Sequence, residues 1–190
     1  AVNADRALVD TCRILGNQDT LYTSGEGFQQ YYINCFISGT TDFIFGNATA
    51  VFENCTVHSK SNSFITAAST PKGVDFGYVF ISCRLTADTH ATEVYLGRPW
   101  RTHAKTVFIN CSMGAHILPL GWDNWSNKEA EKQSFYAEYN CIGPGYKPSQ
   151  RVSWSHQLTK KQAKKYTSKK ILGGKGHGQH TDWYLQFKAQ

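Results

Sequence analysis

Two aspartates stand at matching places in separate segments of this chain: Asp19 in GNQDTLY (16–22) and Asp42 in GTTDFIFGN (39–47). Each lies seven residues after a cysteine, Cys12 and Cys35 respectively. If those cysteines mark equivalent rungs of a repeat, the aspartates are equivalent too, and neighbouring rungs of a sheet lie about 4.8 Å apart. Two carboxylates that close resist ionising together, so one pKa rises. The result is a protonated acid beside a carboxylate, the pair that acid plus base or nucleophile chemistry uses, and the two titrate jointly. A lone Asp in such a segment reads as a turn residue; two in register, each among Gly, Thr and aromatics, read as a site. A third segment, LGRPW (96–100), holds Arg98 before Pro99 and beside Trp100. Its guanidinium fork matches a carboxylate, and the Trp100 ring offers a flat face to a sugar, although RPW alone reads as surface ion pairing.

The elements that must position these residues are legible in the cysteines. Cys12, Cys35, Cys55, Cys83, Cys111 and Cys141 are spaced by 23, 20, 28, 28 and 30 residues, without a CxxC pair. That spacing makes zinc and thioredoxin-like readings weak. Each cysteine follows a small polar residue: Thr11, Asn34, Asn54, Ser82, Asn110 or Asn140. Val9, Tyr32, Phe52, Phe80 or Phe108 stands three places before it, and Ile14, Ile37, Val57, Leu85 or Met113 two places after. The sixth copy is looser, with Glu138 and Gly143. One short period-2 strand pattern per 20–30 residues is the mark of a solenoid. The expected fold is therefore all-β, a parallel β-helix whose cysteines stack as an inward ladder. Asn before Cys suits a bend, because Asn tolerates left-handed dihedrals. The ladder leaves two cysteine states open: free buried thiols, or a bridge between neighbouring rungs, with Cys35 and Cys55 having the shortest connection.

The chain has 190 residues, of which 41 % are hydrophobic and 14 % aromatic. That is enough for a core and excludes disorder. Apolar runs are only a few residues long, and nothing near Ala1 combines a basic start with an apolar stretch. Neither a membrane partner nor a signal peptide is expected here. The net charge of +6 points to an anionic partner. It is unevenly spread: residues 1–140 hold 10 Lys+Arg and 13 Asp+Glu, and residues 141–190 hold 10 Lys+Arg and the single acid Asp182. Six lysines fall in TKKQAKKYTSKK (159–170), where Thr159 and Gln162 form a capping-box pattern that starts a short helix. Leu158, Ala163 and Tyr166 would pack it on the end or side of the solenoid. The lysines then face solvent or tether an anionic polymer. The expected division is 1–155 for the coils and 156–190 for a C-terminal helix and tail.

With these motifs in hand, the sequence resembles the pectin methylesterase family. GNQDTLY, GTTDFIFGNATAVFENC (39–55) and LGRPW match in order, and GWDNW (121–125) and FYAEYNCIGPG (135–145) also fit. The resemblance covers about Ala4 to Leu172. It implies a right-handed parallel β-helix that hydrolyses methyl esters of polygalacturonate. It assigns Asp42 as nucleophile and Asp19 as general acid and then base. Gln18 becomes an oxyanion donor, and Arg98 the partner that keeps Asp42 ionised and aimed. Tyr22, Phe45 and Trp100 fall at substrate-contact positions. It implies a monomer acting on pectin outside the cytoplasm, secreted or periplasmic, with no metal or cofactor. The family's early coils, N-terminal cap and a second glutamine in a QAxA-type segment would precede residue 1. The expectation is that the chain is an excerpt of a longer protein, or a truncated and impaired one.

Competing readings are weaker. The Gly176-His177-Gly178 run resembles the GHG of polygalacturonases, but it follows the repeats and lacks the preceding aspartate pair. A lyase would want an acidic calcium cluster. Nucleic-acid binding rests on charge alone. A non-catalytic saccharide-binding β-helix keeps the groove but gives no reason for two aspartates and Arg98 together. His177 and His180 form an HxxH in a Gly-rich tail and are not expected to bind metal. Of four sequons, at Asn47, Asn54, Asn110 and Asn124, two belong to the repeat bend.

Overall fold

The structure, a computed structural model, describes residues 1–173 and 182–185. His177, His180 and the GHG run lie outside the described residues. Among those described, the strands form three parallel sheets, visited in turn by every coil. The first sheet runs Ala7–Asp10, Gln29–Ile33, Thr49–Glu53, Tyr78–Ile81, Lys105–Ile109, Phe135–Tyr139, His156–Gln157. The second holds Arg13–Leu15, Phe36–Gly39, Thr56–Ser59, Arg84–Ala87 and Ser112–Met113. The third holds Leu21–Thr23, Ile44–Gly46, Phe64–Ala68 and Tyr95–Pro99. The result is the expected parallel β-helix, wound in the right-handed sense that parallel crossovers take.

The cysteine motif is the bend between the first and second sheets. Thr11, Asn34, Asn54, Ser82, Asn110 and Asn140 all have φ between 50° and 56°, the left-handed region that Asn visits at low cost. The cysteines are free, and all but Cys12 are buried. Each buried thiol bridges rungs by donating to the preceding coil's carbonyl, as Cys55 does to Tyr32 (3.4 Å) and Cys83 to Phe52 (3.3 Å). The residue three before each cysteine faces the interior. Tyr32, Phe52, Phe80 and Phe108 stack with centroids 4.8, 4.5 and 4.5 Å apart. On the second sheet Ile14, Ile37, Val57, Leu85 and Met113 form the partner column.

The loose sixth rung has a physical account. Glu138 continues the aromatic column and is fully buried. Arg151 meets its carboxylate with Nε (2.9 Å) and Nη2 (3.0 Å), and turns Nη1 to the carbonyls of Leu118 and Pro119. The stack thus ends on a buried ion pair whose donors are occupied, the condition under which such a pair is tolerated.

Strands of the first sheet are apolar on both faces. Inward residues alternate with Tyr31, Val51, Val79 and Val107, which point outward. The C-terminal segment covers them by lying along the side of the solenoid. Thr159 closes the capping box with Gln162, as expected. However, two short helices form, Lys160–Ala163 and Ser168–Leu172, because Thr167 caps a second start. Leu158, Ala163, Tyr166, Ile171 and Leu172 face the sheet. Leu158 N–H bonds Glu138 O at one end; Gln29 Nε2 donates to Ile171 O at the other. A further helix, Lys128–Gln133, is capped by Asn127. No helix is long and apolar enough to cross a membrane among the described residues.

Candidate active site

The third sheet positions the aspartates. Its register pairs Leu21 with Ile44 and Tyr22 with Phe45, so Asp19 and Asp42 occupy equivalent places just before those strands. Both have positive φ, 55° and 48°, at the bend that leads out of the second sheet. Their amides donate to the next coil, Asp19 N to Thr41 O (3.1 Å) and Asp42 N to Phe64 O (2.8 Å). The seven-residue offset from cysteine therefore holds in space.

Arg98 reaches Asp42 from two coils away. Its Nε donates to Oδ1 at 3.0 Å and its Nη2 to Oδ2 at 2.7 Å. This fork-on-fork pair is stronger than two neutral bonds. It is also shielded, with the side chains 19 % and 7 % exposed. The guanidinium is held between two rings, 3.9 Å from the centroid of Phe64 and 3.6 Å from that of Trp125. The chain can approach so closely because Gly97 has no side chain; a Cβ there would collide with Thr66 Oγ1. Asp19 differs from Asp42. Desolvation, and after it the charge of Asp42, pushes its carboxyl above the usual pKa. One carboxylate is locked to a cation and its neighbour holds its proton to higher pH.

A hollow of about 220 Å³ opens between them, lined by Gln18, Asp19, Asp42, Phe45, Ala67, Arg98, Trp100 and Trp125. Tyr22 and Phe45 stack 4.7 Å apart, and Trp100 tilts against Phe45 at 5.9 Å. The column Tyr22, Phe45, Ala67, Arg98 runs ring, ring, methyl, cation. Ala67 leaves the gap that becomes the hollow. Tyr22 lies off the aspartates and lines an adjoining groove of about 660 Å³ that shares Trp100. All seven expected site residues thus line one continuous surface. Sequence reasoning missed Ala67, Phe64 and Trp125. For Trp125 the signal was the GWDNW motif, whose turn carries two left-handed residues, Trp125 and Ser126, at φ 54° and 55°. No cluster of metal-ligating side chains occurs among the described residues.

A family model described as pectinesterase matches residues 1–175. Pectinesterase 31 of Arabidopsis thaliana is 44 % identical over 163 residues, covering 85 % of this chain and 51 % of the relative. Among solved structures, the pectin methylesterase from carrot superposes with a TM-score of 0.80 at 34 % identity, over 86 % of this chain and 55 % of that one. A pectin methylesterase in complex with hexasaccharide VII gives 0.75 at 33 % identity, over 93 % and 59 %. The chain spans about half the length of the curated relatives it matches. Since the match runs through every coil and both aspartates, the chain belongs to the pectinesterase family.

Proposed function

We propose that the third-sheet cleft hydrolyses methyl esters of polygalacturonate, releasing methanol and leaving de-esterified pectin. The observation that carries this reading is the contrast between the two carboxylates: Asp42 held by Arg98, Asp19 with its pKa raised. An oxygen of Asp42 attacks the ester carbonyl carbon, and the C=O electron pair moves onto oxygen. The side-chain amide of Gln18 donates to that oxyanion. The intermediate collapses by breaking the C–OCH₃ bond, and protonated Asp19 gives its proton to the departing methanol. An anhydride between Asp42 and the sugar carboxyl remains. Asp19, now a carboxylate, takes a proton from water as water attacks the acyl carbon. Collapse restores Asp42 and frees the sugar acid. Tyr22, Phe45 and Trp100 supply the platform for the sugar rings, and the scheme calls for no metal or cofactor. A wall polymer as substrate places the work outside the cytoplasm.

The test is methanol release from methyl-esterified pectin by the parent chain and by Asp42→Asn. The variant should lose at least about a thousandfold in rate while still retaining pectin. Parental activity in the variant would overturn the nucleophile assignment. A parent that retains pectin and releases no methanol would make the cleft a binding groove.

A further inference from the structure

A second groove runs along the outward face of the first sheet, on a different face from the aspartates. Its floor is one register column, Glu53, Ile81, Ile109 and Tyr139, taken from four successive coils. Four rungs span roughly 14 Å. The C-terminal segment forms the opposite wall with Lys160, Lys164 and Tyr166, and Asn110 stands at the bend. The volume is about 320 Å³, in the range of small-ligand sites.

The lining has two characters. Ile81 and Tyr139 are partly exposed and offer apolar surface to the C–H faces of a sugar. Above them lie Lys160 and Lys164, four residues apart, with Lys161, Lys165, Lys169 and Lys170 beyond. All six lysines are exposed, and none joins an ion pair among the described residues. Residues 141–181 contain no Asp or Glu to neutralise them. The one carboxylate in the groove, Glu53, is already engaged, accepting from Tyr31 Oη (2.7 Å) and Ser168 Oγ (2.5 Å).

Charge alone would suit several polyanions, but the shape selects among them. A membrane-binding helix keeps its apolar face outward, whereas Ala163, Tyr166, Ile171 and Leu172 are buried against the sheet. A nucleic-acid duplex is too wide to enter a groove of this volume. A single polysaccharide strand with a carboxylate on each ring fits both the length and the charge. We propose that this groove is a second saccharide site, selective for de-esterified, anionic polygalacturonate. It would hold the protein on stretches already processed in the aspartate cleft. The identity of the polymer rests on the function proposed above; the groove's preference for an acidic saccharide does not.

The experiment measures binding of fully de-esterified polygalacturonate in a Trp100→Ala background, so that the cleft contributes little. Adding K160Q/K164Q should weaken binding about tenfold at low salt and flatten the dependence of affinity on salt. Fully methyl-esterified pectin should bind equally with and without the lysine changes. Unchanged affinity and salt slope for polygalacturonate would overturn the groove. Losses of the same size for double-stranded DNA and phosphatidylserine vesicles would overturn its assignment to a saccharide. With Trp100 intact, K160Q/K164Q should release methanol from short methylated oligomers at the parental rate. Failure of methanol release in parent and variant alike would sink the proposed reaction and leave the groove standing.

Discussion

The first and third sheets are built from the same short parallel strands, yet their outward faces are finished in opposite ways. On the first sheet the outward residues, Tyr31, Val51, Val79 and Val107, are roofed by Leu158, Ala163, Tyr166, Ile171, Leu172, Trp183 and Tyr184 and buried. On the third sheet Tyr22, Phe45 and Trp100 stay open around the aspartates. The covered face is a second core that contributes stability. The open face is apolar surface left in water, the kind of patch that marks an interaction site. The coils alone do not separate the two roles; what lies over each outward column does.

Three perturbations would break or sharpen that contrast. The largest should come from the open face. Arg98→Ala leaves Asp42 buried without its cation, and losing one partner of a buried pair costs about 3–5 kcal/mol. Steady-state kinetics should show kcat/KM down by roughly a hundred- to a thousandfold. An effect under tenfold would mean that the pair does not set the reactivity of Asp42. The covered face should respond in the other currency. Leu172→Ala removes a nearly fully buried side chain from the roof and should cost about 2–4 kcal/mol in denaturant unfolding, while KM for pectin stays at the parental value. A raised KM would show that the two faces are coupled.

The smallest effect should touch neither face. His116, shortly after the strand Ser112–Met113, is buried, and its Nε2 finds no hydrogen-bond partner among the described residues. Desolvation, then the charge of His58, pulls its pKa down to about 4. A depressed histidine pKa favours the neutral native form, so stability is complete above the unfolded value near 6.5 and falls as pH drops toward 4. Between pH 7 and pH 5 the loss should be about 2 kcal/mol. His116→Gln should flatten that dependence in unfolding curves; an unchanged slope would assign the acid sensitivity elsewhere.

How far the sequence spoke differs between the two faces as well. The register of Asp19 and Asp42 was readable because the cysteine bend recurs with fixed neighbours, giving a ruler along each coil. The aromatic column was readable for the same reason. The pinning of Arg98 between Phe64 and Trp125 was not, since Trp125 arrives from a turn whose left-handed residues follow no repeat. The course of the lysine-rich segment also stayed open between end and side. Its inward residues fit either placement, and only contacts as distant in sequence as Gln29 with Ile171 choose the side. Glu138 looked like a lapse in the repeat because its partner, Arg151, lies outside it.

That covering segment has a consequence for how the molecule comes apart. In a solenoid each coil touches only its neighbours, so unfolding is free to start at one end and spread stepwise. Leu158 bonds the coil of Glu138, and Ile171 meets that of Gln29 and Tyr31, where Tyr184 also packs on Tyr31 edge-on at 5.9 Å. A strap fastened at both ends makes distant coils share one fate. It couples a row of nearly independent units, so the coils between Gln29 and Glu138 come apart together rather than one by one.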